Sequence, residues 1–147
     1  MKWLLKSFAE LDTDELYAIL RLRNQVFVVE QNCVYQDADN KDNQARHLLG
    51  VRDDQLIAYS RLFDPGGYFP EAAIGRVVTA PEVRKQGIGK ALVAESIRLL
   101  RHLHPDAAIA LSGQQHLQAF YEAFGFLKTG DPYLEDGIPH VRMILPV

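Results

Sequence analysis

Seven residues between a short apolar segment and a helical pattern have the composition of an anion-binding loop. They read Arg84-Lys85-Gln86-Gly87-Ile88-Gly89-Lys90 and contain two glycines and three cations. Glycine lets the backbone come close to a ligand, and the first turn of a helix leaves N–H groups without partners inside the helix. These donors and the positive end of the helix dipole suit a phosphate or pyrophosphate. The alternative is a surface turn that begins a helix.

The spacing of the glycines excludes two common phosphate loops. A nucleoside-triphosphate loop has a glycine five residues before its final Gly-Lys pair and a hydroxyl residue after that pair. Here those positions hold Arg84 and Ala91. A dinucleotide-binding fingerprint needs a third glycine, and this chain has Leu92 at that position.

A second candidate residue is Tyr121, in the stretch Phe120-Tyr121-Glu122-Ala123-Phe124-Gly125-Phe126. Leu117, Phe120, Tyr121 and Phe124 recur at helical spacing and predict one apolar helix face. Gly125 follows at once and is typical of a left-handed helix terminator. On an apolar face, packing in the core is the common role of a tyrosine.

The loop and the tyrosine segment together resemble the GCN5-related N-acetyltransferase (GNAT) family. The family signature is Arg/Gln-x-x-Gly-x-Gly/Ala between a strand and a helix, with Tyr-x-x-x-Gly-Phe further along. The resemblance implies that the loop amides hold the pyrophosphate of acetyl-coenzyme A (acetyl-CoA). It also implies a catalytic role for Tyr121, as the general acid that protonates the leaving thiolate.

Three other segments resemble the ElaA-like branch of this family. They are Val26-Phe27-Val28-Val29-Glu30-Gln31-Asn32-Cys33 with Tyr35-Gln36-Asp37, Gly75-Arg76-Val77, and Glu135-Asp136-Gly137-Ile138-Pro139-His140. The resemblance covers nearly the whole chain. It implies an α/β fold whose central, mostly antiparallel mixed sheet splays between two strands and carries helices on both faces.

Apolar periodicity and turn residues place these segments on strands and helices of one domain, residues 1–147. The predicted strands are Trp3–Phe8, His47–Arg52, Gln55–Asp64, Ala73–Thr79, Ala107–Leu111, Leu127–Tyr133 and His140–Leu145. The predicted helices run from Asp12 to about Glu30, from Gly87 to His104 and from Gln115 to Phe124. A long polar loop spans residues 31–46.

In the resembled fold, the pantetheine arm of the cofactor lies between the two splayed strands and bonds to exposed strand backbone. Here those strands are Ile74–Thr79 and Ala107–Ser112. The backbone of Val77, Val78 and Thr79 is therefore a candidate cofactor contact, while their side chains are expected in ordinary strand core. His116 is either a further cofactor contact or a solvent-exposed helix start.

The resemblance implies direct attack of a neutral primary amine on the thioester in a ternary complex, with a backbone N–H near Val78 polarising the carbonyl. An acyl-cysteine intermediate at Cys33 is disfavoured because no adjacent histidine pattern supplies a base. Glu30 is the leading candidate for the catalytic base, because it ends an apolar helix near the expected acceptor groove. His47 and His140 are alternatives with suitable intrinsic pKa, and a chain of ordered water is another.

Five residues are expected on the acceptor side of the site: Glu30, Asp37, His47, Arg76 and His140. The acidic residues Asp37, Asp39 and Asp42 lack the glycine and the closing glutamate of a calcium loop, so no metal site is expected. A solvated acidic loop is the favoured interpretation. Its functional alternative is an acidic rim that attracts a cationic amine.

The composition is that of an ordinary globular chain and carries no sign of a nucleic-acid or membrane partner. The net charge of −3 gives no general attraction to nucleic acid. No run of 18 apolar residues predicts a membrane span, and the first residues lack the features of a secretory signal, so a cytoplasmic location is expected. The lone Cys33 is expected to be buried and inert. A sheet edge and the apolar segment Pro139–Val147 are candidate surfaces for a homodimer.

The predicted function is acetyl transfer from acetyl-CoA to a primary amine of a small molecule or peptide. One alternative is transfer of a longer acyl group, since the phosphate loop does not contact the acyl chain. Another is a non-catalytic, regulatory acyl-CoA-binding domain, against which the retention of Tyr121 argues.

Overall fold

Seven strands form a single sheet in the computed structural model, which describes residues 1–147. Numbered along the chain, the strands are β1 (Lys2–Ser7), β2 (Arg46–Arg52), β3 (Gln55–Phe63), β4 (Ala72–Thr79), β5 (Ile109–Gln114), β6 (Leu127–Glu135) and β7 (Ile138–Leu145). The helices are α1 (Thr13–Arg23), α2 (Ile88–Leu103) and α3 (Gln118–Glu122). A membrane crossing would need a longer and more apolar helix than any found here.

The sheet is mixed, with strand order β1-β2-β3-β4-β5-β7-β6. Every neighbouring pair is antiparallel except β4 and β5. Side chains of β3 alternate between the two faces of the sheet. Ala58 packs in the cluster that contains Leu92 of α2, whereas Tyr59 packs in the cluster that contains Ile19 of α1. Helices therefore cover both faces, and the predicted fold is confirmed.

The parallel pair β4 and β5 is the least complete pairing in the sheet. Two residue pairs join the strands, and the second is Ala73 with Ala110. β5 then continues along β7 to Gln114, while β4 continues along β3 to Thr79. From Ile74 onward, the edge of β4 that faces β5 has no strand partner, which is the predicted splay.

Some elements differ from their predicted form. α1 is followed directly by a π-helix, Asn24–Glu30. The helical segment therefore ends at Glu30, as predicted, but its last seven residues are a π-helix and not an α-helix. The segment Gln115–Leu117 is a 3-10 turn, which leaves α3 as a short helix. β5 begins at Ile109 instead of Ala107 and extends beyond its predicted end.

The acidic loop between α1 and β2 is not solvated, and that prediction is wrong. Three of its carboxylates bind three arginines from α1, β3 and β4, an arrangement called here the Arg–Asp network. Its contacts are Arg23–Asp37 (2.8 Å), Arg23–Asp42 (2.7 Å), Arg61–Asp39 (2.8 Å), Arg61–Asp42 (2.9 Å) and Arg76–Asp37 (2.8 Å). Because arginines neutralise these carboxylates, the loop does not form the acidic rim considered as its functional alternative.

Removing one arginine of the network is expected to destabilise the fold. The Arg23 side chain is fully buried, at 0% exposure, and its loss leaves Asp37 and Asp42 partly unpaired. Breaking a buried ion pair in this way costs about 3–5 kcal/mol, so Arg23→Met should lower the free energy of unfolding in urea by about that amount.

The matched control is Arg98→Met. Arg98 pairs with Glu95 on the surface of α2, with its side chain 64% exposed, and such an exposed pair contributes little to stability. Equal losses of stability in the two variants would contradict the structural role of the network.

The network also predicts a loss of stability in acid. Burial opposes ionisation of Asp39, but the hydrogen bonds and charge of Arg61 outweigh it and lower the Asp39 pKa to about 2. Burial likewise opposes ionisation of Asp42, and its pKa is lowered by Arg23 and then by Arg61. Both folded-state pKa values lie below the unfolded value of about 3.9, so the stabilisation is complete above that pH and is lost as the pH falls through the folded values.

The expected result is a free energy of unfolding that decreases as the pH is lowered from about 4 toward 2. Urea unfolding at several pH values measures it. Asp39→Asn should reduce the slope, because it removes one of the two groups that take up protons on unfolding. A wild-type stability that stays constant across this range would contradict the pairing.

Candidate active site

A cleft of about 430 Å³ opens where β4 and β5 diverge. The strands β4 and β5 supply its central walls, and the segment after α1 and the β6–β7 turn close it on one side. Its lining residues are Val26, Phe27, Gln31, Cys33, Tyr35, Ile74, Gly75, Arg76, Val77, Val78, Thr79, Arg84, Leu111, Ser112, Gly113, Gln114, His116, Leu117, Tyr121, Glu135, Asp136, Ile138 and His140. Eight of the seventeen predicted site residues line the cleft: Arg76, Val77, Val78, Thr79, Arg84, His116, Tyr121 and His140.

The β4 wall carries a β-bulge. Tyr59 pairs with Val78 and Arg61 pairs with Gly75, so two residues of β4 oppose one residue of β3. Arg76 adopts a left-handed conformation there, with φ of 50°, which is costly for a residue with a side chain. The bulge turns the Arg76 side chain toward the Arg–Asp network and re-aims the backbone of the following residues, as bulges commonly do.

The predicted phosphate loop precedes α2 and lines the cleft through Arg84. Lys85 and Gly87 both have positive φ, at 65° and 77°, and no side chain caps the helix. The first helical hydrogen bond runs from the Ala91 N–H to the Gly87 carbonyl at 3.1 Å, which leaves the amides of Ile88, Gly89 and Lys90 without helix partners. A Cβ on Gly87 would meet no atom within 4 Å, so the space in front of the loop is open.

Arg84 and Gln86 have partners outside the loop. Arg84 Nη2 lies 2.6 Å from Glu30 Oε1, and Gln86 Oε1 accepts a hydrogen bond from Arg52 at 3.1 Å. The loop is thereby attached to the π-helix on one side and to β2 on the other.

Tyr121 borders the same cleft from α3. Tyr121 is 6% exposed, and its ring packs against Phe120 and Phe126. A Cβ on Gly113 would lie 3.1 Å from the Tyr121 ring, so glycine at this position of β5 lets the tyrosine approach the strand. Burial raises the pKa of Tyr121 to about 12. Gly125 ends the helical segment at φ of 99°, as predicted.

A polar cluster lies on the opposite side of the cleft, and of its members the sequence predicted only His140. Ser112 of β5, Tyr133 and Glu135 of β6, and His140 of β7 come together there. The Ser112 hydroxyl is hydrogen-bonded to the Tyr133 hydroxyl and lies 3.5 Å from Glu135 Oε1, and His140 Nε2 lies 3.2 Å from Glu135 Oε2. The alternation of Tyr133 and Glu135 along β6 was the available signal, because residues two apart share a sheet face.

Nine predicted site residues do not line the cleft: the six loop residues 85–90, and His47, Asp37 and Glu30. His47 is fully buried, with its ring nitrogens bonded to the Tyr59 hydroxyl and the Asp42 carbonyl; burial lowers its pKa. Asp37 is held by arginines of the network. Glu30 was expected to be partly desolvated, but its side chain is 40% exposed and paired with Arg84.

Cys33 and His116 also line the cleft, and the sequence indicated such a position only for His116. Cys33 was expected to be buried and inert, yet it is partly exposed and its Sγ donates to the Asp136 carbonyl at 3.4 Å. His116 lies on the 3-10 turn before α3 and lines the cleft. Arg76 and His140 also line it, whereas Lys85 and Lys90 extend from the loop outside the lining.

Residues 13–147 match the model of a known domain family, the acetyltransferase (GNAT) domain. The chain belongs to the GNAT family. Its relatives place it in the ElaA-like branch: protein ElaA of Escherichia coli is 41% identical over 97% of this chain and 95% of its own length. The crystal structure of Escherichia coli ElaA has a TM-score of 0.91 with 40% identity and covers 97% of both chains.

An acyl-CoA N-acyltransferase from Pseudomonas aeruginosa is also similar, with a TM-score of 0.93, 44% identity and 97% coverage of both chains. Membership of this family implies an acyl-CoA cosubstrate. The residues present fit such a molecule, because the free amides at the start of α2 suit a diphosphate and the unpaired edge of β4 suits an extended amide-bearing arm.

Proposed function

We propose that this protein transfers an acetyl group from acetyl-CoA to a primary amine by direct attack in a ternary complex. The observation that carries the proposal is the cleft itself. Its lining extends from Arg84 of the phosphate loop and Tyr121 to the polar cluster on the other side of the splayed strands. Two substrates that enter from opposite sides can therefore meet between β4 and β5.

Acetyl-CoA is proposed to bind along β4. Its diphosphate lies on the amides between Gln86 and Lys90, with Arg84 and Lys85 as nearby cations. Its pantetheine amides pair with the free backbone of Val77, Val78 and Thr79, in the manner of an added strand. A backbone N–H near Val78 then polarises the thioester carbonyl, where negative charge develops during attack.

Tyr121 is proposed to act on the leaving sulfur. With a pKa of about 12, its hydroxyl is protonated at neutral pH and is available as a donor. An ordinary thiol has a pKa of about 8.5 and is a stronger acid than this phenol, so Tyr121 gives its proton to the sulfur only as it receives one from the acceptor nitrogen while the carbon–sulfur bond breaks. The products are an N-acetylated amine and free CoA.

Replacing this hydroxyl is expected to slow the chemical step without affecting cosubstrate binding. Tyr121→Phe should lower kcat by about a hundredfold, while calorimetry should give an unchanged Kd for CoA, because the ring still packs against Gly113. Release of free thiol measures kcat. Tyr17→Phe is the control, since Tyr17 is 73% exposed on α1. Unchanged turnover in Tyr121→Phe would remove the residue from the chemistry.

The phosphate loop is tested by a pair of glycine variants. Gly87 and Gly66 both have positive φ and open space where a Cβ would lie, so an alanine at either position costs about 1–2 kcal/mol of stability. Gly87→Ala should also weaken CoA binding by about tenfold, because the amides of the loop move. Gly66→Ala, in the β3–β4 connection, should leave the Kd for CoA unchanged. Equal affinities in both variants would contradict binding at this loop.

The same thiol-release assay separates the alternatives. Release with acetyl-CoA and a primary amine supports the proposal. Release only with longer acyl-CoA substrates would assign the protein to another acyl group, and CoA binding without release over a broad amine panel would make it a non-catalytic acyl-CoA-binding domain.

A further inference from the structure

We infer that the Glu135–His140 pair receives the acceptor in this cleft: the Glu135 carboxylate binds the substrate ammonium and His140 Nε2 takes its proton. The inference rests on the proposed transfer to an amine. It assigns the acceptor as an amine that arrives in its protonated, cationic form and is deprotonated in the site.

The carboxylate of Glu135 is held from two neighbouring strands. Ser112 of β5 donates toward Oε1 at 3.5 Å, and His140 of β7 lies 3.2 Å from Oε2. Tyr133 pairs with His140 across β6 and β7, and its ring stacks on the imidazole with centroids 6.3 Å apart. The Glu135 side chain remains 42% exposed whereas His140 is 10% exposed, so the carboxylate is the part that an incoming ammonium reaches.

The hydrogen bonds define where a proton goes. His140 Nδ1 lies 2.7 Å from the Ile138 carbonyl, which only accepts, so Nδ1 carries a hydrogen. In the neutral ring Nε2 is then a bare acceptor, so an ammonium bound at Glu135 Oε2, 3.2 Å away, can donate to both atoms. A proton that arrives at Nε2 forms a charge-assisted hydrogen bond to Oε2, so the pair stabilises the imidazolium that results.

No other group that lines the cleft fits this role as well. The lining carboxylates are Glu135 and Asp136, and the lining imidazoles are His116 and His140. Asp136 lies on the exposed turn, and His116 precedes α3 on the same side as Tyr121. Glu30, the candidate favoured by the sequence, is outside the lining and bound to Arg84.

The charges around Glu135 are compatible with its carboxylate as the group that binds the substrate ammonium. Tyr133 and Asp136 flank Glu135 on its own hairpin, and Tyr68 of the β3–β4 connection is near enough for the Glu135 charge to contribute to its raised pKa, after burial. The neighbouring cations are occupied: Arg142 of β7 is bound to Glu71, and Arg76 is bound to Asp37. Neither arginine neutralises the Glu135 carboxylate, which can therefore attract the substrate ammonium.

Each proton and electron pair in the transfer has a defined destination. The ammonium gives one proton to His140 Nε2, and the freed nitrogen lone pair attacks the thioester carbonyl carbon. The carbon–sulfur bond breaks with its electron pair on sulfur, the new amide nitrogen loses its second proton toward the sulfur by way of Tyr121, and the imidazolium releases its proton to solvent.

The test compares Glu135→Gln with Asp136→Asn and with Glu95→Gln, a surface carboxylate on α2. The acceptor is whichever of ethanolamine, 1,4-diaminobutane and lysine amide gives the highest wild-type turnover. Glu135→Gln should lower kcat/KM for the amine by about a hundredfold and raise KM for the amine, because the substrate ammonium loses its carboxylate partner. Its Kd for CoA should equal that of the wild type, which also shows that it folds. Glu95→Gln should match the wild type in every measurement.

Two results overturn the inference while leaving acetyl transfer intact. One is a Glu135→Gln enzyme with wild-type kcat/KM and wild-type KM for the amine. The other is an equal loss in Asp136→Asn, which would show that overall negative charge, not the pair, receives the amine. A wild type that binds CoA but acetylates no amine would instead reject the proposed function and this inference with it.

Discussion

The incomplete pairing of two parallel strands is the constraint on which the rest of the site depends. β4 and β5 share two residue pairs and then follow different partners, so one edge of β4 stays open inside the sheet. An open edge is usually blocked or covered because it pairs with other chains. Here it lines a cleft, and the same unpaired groups become the means of binding an extended cosubstrate.

One wall of this cleft is fixed by charge. Arg76 has an unfavourable backbone conformation in the β4 bulge, and such strain persists only where the surroundings determine it. The Arg–Asp network holds Arg76 in this conformation, because Arg76 and Arg23 both bind Asp37. Buried ion pairs contribute little net stability, so the main effect of the network is to select one conformation of the loop and of the bulge.

Structural features that are set by neighbouring residues could be predicted from the sequence. The glycine loop, the terminator at Gly125 and most strand limits could be predicted because turn chemistry and periodicity are properties of neighbouring residues. The acidic loop could not, since Asp39 meets its partner Arg61 only after β3 has folded against it. For the same reason, Glu30 was wrongly expected to be partly desolvated, and Glu135 was not predicted as a site residue. A carboxylate becomes a base or an ion-pair partner through residues distant in sequence, and the π-helix also changed the direction in which Glu30 points.

The decisive measurement is a crystal structure with CoA bound. We expect the diphosphate on the amides between Gln86 and Lys90, the pantetheine arm along the open edge of β4, and the sulfur within about 3.5 Å of the Tyr121 hydroxyl. CoA bound on another surface, or in the cleft with its sulfur out of hydrogen-bonding reach of Tyr121, would contradict it.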